Sequence, residues 1–527
     1  MSENKRIAKD AGIVGTFTFL SRILGFIRDV VIASCFGAGL STDAFFVAFR
    51  IPNLLRRLLA EGSLTASFVP IFTEYLTTKS KRDALELANV AFTILSMILV
   101  FISILGIVLS PLIIRVIAPG FVDTPDKLDL TILLTRIVFP YIFFIGLIAL
   151  CMGILNSLRH FAAPALSPVL LNICMIIAVL GLSRYFDEPV ISLAVGVIIG
   201  GVLQLLFQFP FLRKMGVRIR FNFNFSHPAV KRIGILMIPA VFGAAAYQFN
   251  IFISTVIASF LQEGSISYLY YANRLMEFPL GIFAVAIGTV ALPTMSRHAA
   301  ANNFHELRES LSFALRLVLF ATIPATVGLI VLRVPIISML FQRGEFDYQT
   351  TLLTAKALFY YSLGLWAIAG VRIVAPTFYS LQDTKTPVKI AIVVIFTDIT
   401  LSIILAFPLG MGHGGLALAT SISSTINLMM LVMILRKRLG GIGGRRILAS
   451  VFKISVSSMA MGVAIYFFSM KIPWDAGSDI RERIFTLGCS IAIGLVIFFL
   501  CSYLLRTEES RSFVMIVKNR IGGNRKI

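Results

Sequence analysis

Apolar runs of twenty or more residues recur along almost the whole of this 527-residue chain. Each is long enough to cross the hydrocarbon core of a bilayer, about 30 Å. A water-soluble chain of this length would divide into several domains with charged surfaces. Here 57% of residues are apolar and 14% charged, against about 45–50% and about 25% in soluble domains. The runs are continuous in Leu, Ile, Val and Phe, whereas barrel strands would alternate over segments of about ten residues. The expected fold class is an all-α polytopic membrane protein.

Fourteen spans are expected, near residues 12–36, 43–74, 88–117, 130–156, 162–182, 190–213, 231–260, 268–296, 310–341, 352–380, 386–409, 415–438, 446–470 and 483–505. Alternate connections are basic: Lys79, Lys81 and Arg82; Arg213, Lys214, Arg218, Arg220, Lys231 and Arg232; Arg436, Lys437, Arg438, Arg445 and Arg446; then the tail. Loops on the other side, such as 121–130, are acidic. Positively charged loops stay in the cytoplasm, which places both termini inside and requires an even number of spans. The same rule accounts for the net charge of +21, because the basic residues are dispersed among loops and form no nucleic-acid-binding patch. The first apolar run is interrupted by Arg22, Arg28 and Asp29, which argues against a cleaved signal peptide. Five cysteines (Cys35, Cys151, Cys174, Cys489, Cys501) lie in or beside apolar runs with no CxxC and no histidine cluster, so neither a disulfide framework nor a metal site is expected.

The chain repeats itself. Val31-Ile32-Ala33-Ser34 recurs as Val256-Ile257-Ala258-Ser259 at an offset of 225, Pro70 as Pro293 at 223, and Pro111 with Gly120 as Pro335 with Gly344 at 224. Ser157-Leu158 with Pro164 matches Ser380-Leu381 with Pro387, and Leu212-Arg213-Lys214 matches Leu435-Arg436-Lys437, both at 223. A nearly constant offset across six spans predicts two parallel six-helix repeats around a central cavity. The expected organisation is an N-terminal lobe at 1–225, a C-terminal lobe at 226–445, and two extra helices with a basic tail at 446–527.

Charges stand where the membrane makes them expensive. Arg22, Arg28 and Asp29 lie in the first span, Arg50, Arg56, Arg57 and Glu61 in the second, Arg274 and Glu277 in the eighth. An isolated charge at the bilayer centre costs at least about 2.5–3.5 kcal/mol, so these should face the protein interior or water. At about 100° per residue Arg22, Gly25, Arg28 and Asp29 share one arc. Arg57 and Glu61, four residues apart, are placed for an internal pair; a neutralising role and ligand contact both fit them, as they fit Arg28 with Asp29. For Arg50, snorkelling from a helix end is the favoured reading. The six arginines outnumber Asp29, Glu61 and Glu277, and Asp43 at the outer end of the second span would reduce the surplus. A cavity with surplus guanidinium suits phosphate or pyrophosphate, whose oxygens match the planar fork, and would repel a cationic drug. Asp398, inside the eleventh span, is either a coupling-cation or proton site or a satisfied polar packing residue. No G-x-x-x-x-G-K-[ST] sequence is present, leaving a gradient or the membrane potential as energy source. No catalytic triad is identifiable.

The stretch Ser21-Arg22-Ile23-Leu24-Gly25-Phe26-Ile27-Arg28-Asp29, with Gly37-Ala38-Gly39, Thr42-Asp43-Ala44-Phe45-Phe46 and Pro52-Asn53-Leu54-Leu55-Arg56-Arg57, closely resembles the MurJ (MviN) lipid II flippases. The likeness continues through Ala60-Glu61-Gly62, Phe68-Val69-Pro70 and Tyr271-Ala272-Asn273-Arg274-Leu275-Met276-Glu277-Phe278-Pro279. The resemblance implies the fold of the multidrug, oligosaccharidyl-lipid and polysaccharide (MOP) exporter superfamily, the final helix pair lining a groove for a lipid tail. It implies a transporter in the bacterial inner membrane, not an enzyme, serving cell-wall synthesis. The cargo would be lipid II, undecaprenyl-pyrophosphate carrying the peptidoglycan disaccharide-pentapeptide. By motif, Arg22, Arg28, Arg56 and Arg274 would bind the pyrophosphate, with Asp29, Asp43, Arg57, Glu61, Asn273 and Glu277 as supporting polar positions. Asn273 stands where many members carry an acidic residue. No cofactor is implied; coupling to the membrane potential or a monovalent cation is, with Asp398 the candidate. Partners would be lipid II, membrane lipids and cell-wall synthesis proteins. Rival readings are a flippase for another polyprenyl-pyrophosphate glycan, a nontransporting cell-wall scaffold, and a cation-drug antiporter.

Overall fold

The computed structural model describes residues 3–58, 63–475 and 479–510. All regular structure among these residues is helical, as a lipid environment requires when backbone groups cannot turn to water. The chain forms two compact units, Met1–Ser267 with Arg343–Phe346, and Tyr268–Gln342 with Asp347–Ile527.

Unit 1 contains α1 (Glu3–Phe36), α2 (Leu40–Leu58), α3 (Leu64–Thr78), α4 (Lys81–Ile117), α5 (Pro125–Val138), α6 (Tyr141–Ser157), α7 (Ala162–Leu182), α8 (Ile191–Lys214) and α9 (Pro228–Ser259). Sequence sets these ends locally. Ser80 and Asp83 form a reciprocal capping box at the start of α4, and His227 caps α9 with Pro228 in its first turn, where the missing N–H costs nothing. α7 packs on α1 and α8, α5 on α2, and α6 on α3, α4 and α8. Small residues let these helices approach closely, as in other membrane bundles: a Cβ at Gly196 would stand 2.8 Å from the Ala178 Cβ, and one at Gly106 would lie inside the Phe139 ring. The expected boundary at 225/226 and that of the unit at 267/268 differ by α9, which packs on α2, α3 and α4.

Two turns of unit 1 are built with backbone against backbone. Gly120 donates its N–H to Ser259 Oγ at 3.1 Å, and a Cβ there would lie 2.3 Å from the Ser259 carbonyl oxygen. Gly344, at φ +56°, would place a Cβ 2.1 Å from the Ser34 carbonyl oxygen, which accepts the Glu345 N–H at 3.0 Å. Helix starts are capped across the same region: Glu263 accepts the Leu40 N–H of α2 at 2.7 Å, while Asp43 accepts the N–H groups of Gly264 and Ser267.

Unit 2 holds most of α10 (Ser265–Pro279), then α11 (Val285–Ala300), α12 (Phe304–Val331), α13 (Arg333–Phe341), α14 (Tyr348–Ser362), α15 (Leu365–Ser380), α16 (Lys385–Ala406), α17 (His413–Leu439), α18 (Gly444–Ser469) and α19 (Ile480–Leu504). Pro279 removes a helical donor, and the five residues that follow, Leu280–Ala284, widen into a π turn. α12 packs on α15 and α18, and α16 on α17. Beyond α19 the chain returns to α12. Arg316, buried, donates to Glu508 Oε2 at 2.5 Å and to Glu509 Oε1 at 3.0 Å, and Ser450 of α18 donates to the same Glu509 oxygen.

Ten helical stretches among the described residues are long and apolar enough to span a membrane, or eleven when α14 and α15, bent by 42°, count as one. The outward faces carry large apolar side chains, such as Phe101 and Val108 of α4, 65% and 67% exposed. The chain is a multi-pass membrane protein. The other expected spans, 12–36, 43–74 and 231–260, also fall on helices. The first carries Arg22, Arg28 and Asp29 within α1, the second falls on α2 and α3, and the third on the single helix α9.

Candidate functional site

The two arginines that the sequence singles out on α1 stand in different environments. Arg28 is fixed from two sides: Nη2 and Nε donate to Asp29 Oδ1 at 2.7 and 3.1 Å, and Nη1 to Asn172 Oδ1 of α7 at 3.1 Å. Asn172 is oriented in turn by donating to the Ser21 carbonyl at 3.2 Å. Asp29 is buried, so this neutralised pair is held by the packing of α1 on α7 and keeps a fork of fixed orientation. Arg22 is exposed, and among the described residues no ion pair engages it. Its full charge is therefore available.

On α2, Arg56 donates through Nε to Asn53 Oδ1 at 3.1 Å, one turn back. Arg50, Arg56 and Arg57 are half-buried. The expected Arg57–Glu61 pair lies outside the described residues, because Glu61 does. Asp43 occupies a wholly different setting from the arginines. Its carboxylate is buried and pairs with Lys127 of α5, Nζ to Oδ2 2.8 Å, while Oδ1 accepts from both N–H and Oγ of Ser267 at 2.9 and 2.7 Å. Asp43 thus spends its charge on Lys127 and a helix start, not on reducing the arginine surplus.

In unit 2, Asn273, Arg274 and Glu277 share one face of α10. Arg274 Nη1 lies 3.9 Å from Glu277 Oε2, and Asn273 Nδ2 donates to Glu277 Oε1 at 3.4 Å. Glu277, one turn on, supplies the negative charge beside Arg274 where Asn273 does not. The contact is long and the Arg274 side chain remains 32% exposed. Asp398 is buried on α16 and accepts from Ser423 Oγ of α17 at 2.8 Å. Among the described residues no group of three or more His, Cys, Asp or Glu is placed to hold a metal ion.

Lys127, Asn172 and Glu263 were not among the residues singled out by sequence. Lys127 had a signal, as the lone cation in the acidic stretch Asp123–Asp129; a lysine there needs a nearby carboxylate when its helix is buried.

The model of the family described as lipid II flippase MurJ matches residues 32–484. The chain belongs to the lipid II flippase MurJ family. Among its relatives, the probable lipid II flippase MurJ of Vibrio cholerae serotype O1 is 41% identical over 435 residues, covering 81% of this chain and 82% of that protein. A solved structure of a lipid II flippase MurJ in an inward closed conformation aligns at TM-score 0.78 and 31% identity, covering 93% of this chain and 98% of the other. An inward-facing MATE transporter of the MOP superfamily aligns at TM-score 0.67 and 16% identity, over 82% and 98%, a likeness of fold alone. Of the arginines singled out by sequence, Arg28 is clamped, Arg22 is exposed, Arg56 contacts Asn53 and Arg274 lies near Glu277.

Proposed function

We propose that this MurJ family member moves lipid II, undecaprenyl-pyrophosphate-linked disaccharide-pentapeptide, from the cytoplasmic to the periplasmic leaflet by alternating access. Membership of the family carries the reading, and the embedded guanidinium groups supply the chemistry. Arg22, Arg28 and Arg56 of unit 1 and Arg274 of unit 2 are the groups we assign to the pyrophosphate. Charge-assisted bonds to phosphate contribute about 1.5–3 kcal/mol each, enough to draw the diphosphate from water while the prenyl tail stays in lipid. Transport makes and breaks no covalent bond, so this reading needs no catalytic group.

The full fourteen-span count with both termini in the cytoplasm is part of the same proposal. Charge bias of the loops supports the orientation, and a bacterial inner membrane follows from the cargo. Two parallel six-helix repeats are supported by a reciprocal contact. Gly120 rests on Ser259 and Gly344 on Ser34; in sequence the two glycines are 224 apart and the two serines 225, so the contacts are related by exchange of repeats. With an inside-negative potential, cation entry or anion exit is downhill by about 2.3 kcal/mol per charge per 100 mV. Asp398, buried against Ser423, is our candidate for a monovalent-cation or proton site.

The test is a leaflet-resolved assay of labelled lipid II in liposomes, with and without an imposed potential. Arg22→Ala and Arg274→Ala should each abolish translocation while the protein stays folded. Unchanged translocation in both variants, or failure of the wild-type gene to rescue cells lacking their lipid II flippase, would overturn the reading.

A further inference from the structure

The connection from α8 to α9 is not an ordinary loop. Residues 217–224 form neither helix nor turn, and alternate N–H groups at 220 and 222 face α4. The Arg220 N–H donates to Asn89 Oδ1 at 2.9 Å and the Asn222 N–H to Thr93 Oγ1 at 2.8 Å. The spacing is complementary: four residues of helix rise about 6 Å and two of extended chain about 6.6 Å. Held this way, Arg218-Ile219-Arg220-Phe221-Asn222-Phe223-Asn224-Phe225 alternates polar with apolar side chains.

Phe221, Phe223 and Phe225 are 69%, 62% and 58% exposed. Their rings follow one another at 6.5 and 6.3 Å, with Phe92 of α4 6.2 Å before Phe221. A row of bare aromatic rings at the ends of membrane helices belongs at the lipid interface and not in water. Beside it opens a cavity of about 620 Å³, its lining including Phe92, Phe209 and Phe221 together with Arg213, Arg218 and Arg220. Among the described residues no ion pair engages these three arginines, and no carboxylate lines the cavity. None of its residues is among those assigned to lipid II.

We propose that this cavity binds the headgroup of an anionic phospholipid of the bulk bilayer, its phosphate on Arg213, Arg218 and Arg220 and its glycerol and first methylenes against Phe92, Phe209 and Phe221. Guanidinium matches phosphate oxygens, and the cavity has the size of a small-ligand site. The phenylalanine row gives an acyl chain a continuous path into the membrane, which a free phosphate would not use. By the charge of its loops this is the cytoplasmic leaflet.

Native mass spectrometry of the full-length protein, titrated with phosphatidylglycerol or phosphatidylcholine, tests this. Phosphatidylglycerol should bind first and more tightly. The triple variant Arg213→Gln, Arg218→Gln, Arg220→Gln should weaken its first binding step by about fivefold per arginine and leave phosphatidylcholine unchanged. Phe221→Ser, which keeps every charge, should weaken phosphatidylglycerol too, and serves alone if the triple variant misfolds. A matched loss of charge elsewhere, Arg436→Gln, Lys437→Gln, Arg445→Gln, should have little effect. Equal weakening by that control would mean diffuse attraction and overturn the proposal. So would displacement of phosphatidylglycerol by millimolar inorganic phosphate, or a Phe221→Ser protein that binds like wild type.

Discussion

Lys127 and Asp43, 84 residues apart in sequence, meet at 2.8 Å with both side chains almost wholly buried. The ammonium group also lies 4.3 Å from the Phe121 ring centroid. Removing one partner of such a pair leaves a buried charge and costs about 3–5 kcal/mol. Lys127→Met should therefore lower the melting temperature and the folded yield sharply. Asp43→Asn with Lys127→Met should recover part of the loss, because the charge disappears from both sides; a double-mutant cycle on thermal unfolding measures the coupling. Additive losses would show that the two side chains do not interact.

The arginines of α1 should fail in different ways. Arg28→Ala takes the guanidinium from the buried Asp29 carboxylate and from Asn172, so it should reduce stability as well as transport. Arg22→Ala touches no described ion pair and should leave the stability within about 0.5 kcal/mol of wild type, as for exposed sites, while lowering lipid II affinity roughly 10- to 100-fold, the worth of one charge-assisted bond. Thermal melts beside lipid II binding on the same preparations separate the two.

Gly344→Ala should be among the most damaging single-methyl changes in the chain. Gly344 adopts φ +56° and the new carbon would lie 2.1 Å from a backbone oxygen that cannot move aside. Gly120→Ala should behave alike, at 2.3 Å from the Ser259 oxygen. Gly181 and Gly328 lie inside helices with nothing near the added carbon, and alanine there should be neutral or slightly stabilising. Fluorescence-detected size-exclusion profiles of the four variants give the comparison.

The staple from the chain's last described residues to α12 should weaken in acid. The Arg316 guanidinium, hydrogen-bonded to Glu508, holds that carboxyl below the usual range. A carboxyl lowered by folding stabilises the fold above its unfolded value, about 4.3, and loses that contribution as pH falls through the folded value. Glu508 is largely exposed, so the effect should stay under about 1 kcal/mol. Melting curves taken from neutral pH downward should show an extra loss in wild type that Glu508→Gln lacks. Arg316→Met should cost more, since it also strips Glu509, which is buried.

How far the sequence was readable depended on the range of the forces involved. Runs of Leu, Ile, Val and Phe report directly on burial in lipid, so the helices fell near their expected places. Breaks were less visible. The interruption at Leu332 between α12 and α13 and the π turn after Pro279 arise where apolar composition continues unchanged. Side-chain pairing was least visible: Arg28 finds Asn172 at a separation of 144 residues, and Asp43 takes Lys127 because α5 packs on α2. A motif shows that a charge must be answered, while only the assembled helices show by whom. The arginine surplus was legible as a sum, and its division into clamped Arg28 and open Arg22 was not.

The run at 217–224 also imposes an arithmetic on its own length. Side chains change sides at every step, so loss or gain of one residue there would carry phenylalanines to where arginines and asparagines now stand. Two residues could be lost or gained with the pattern intact. Connections between membrane helices ordinarily vary freely in length; this one should drift among descendants in even numbers.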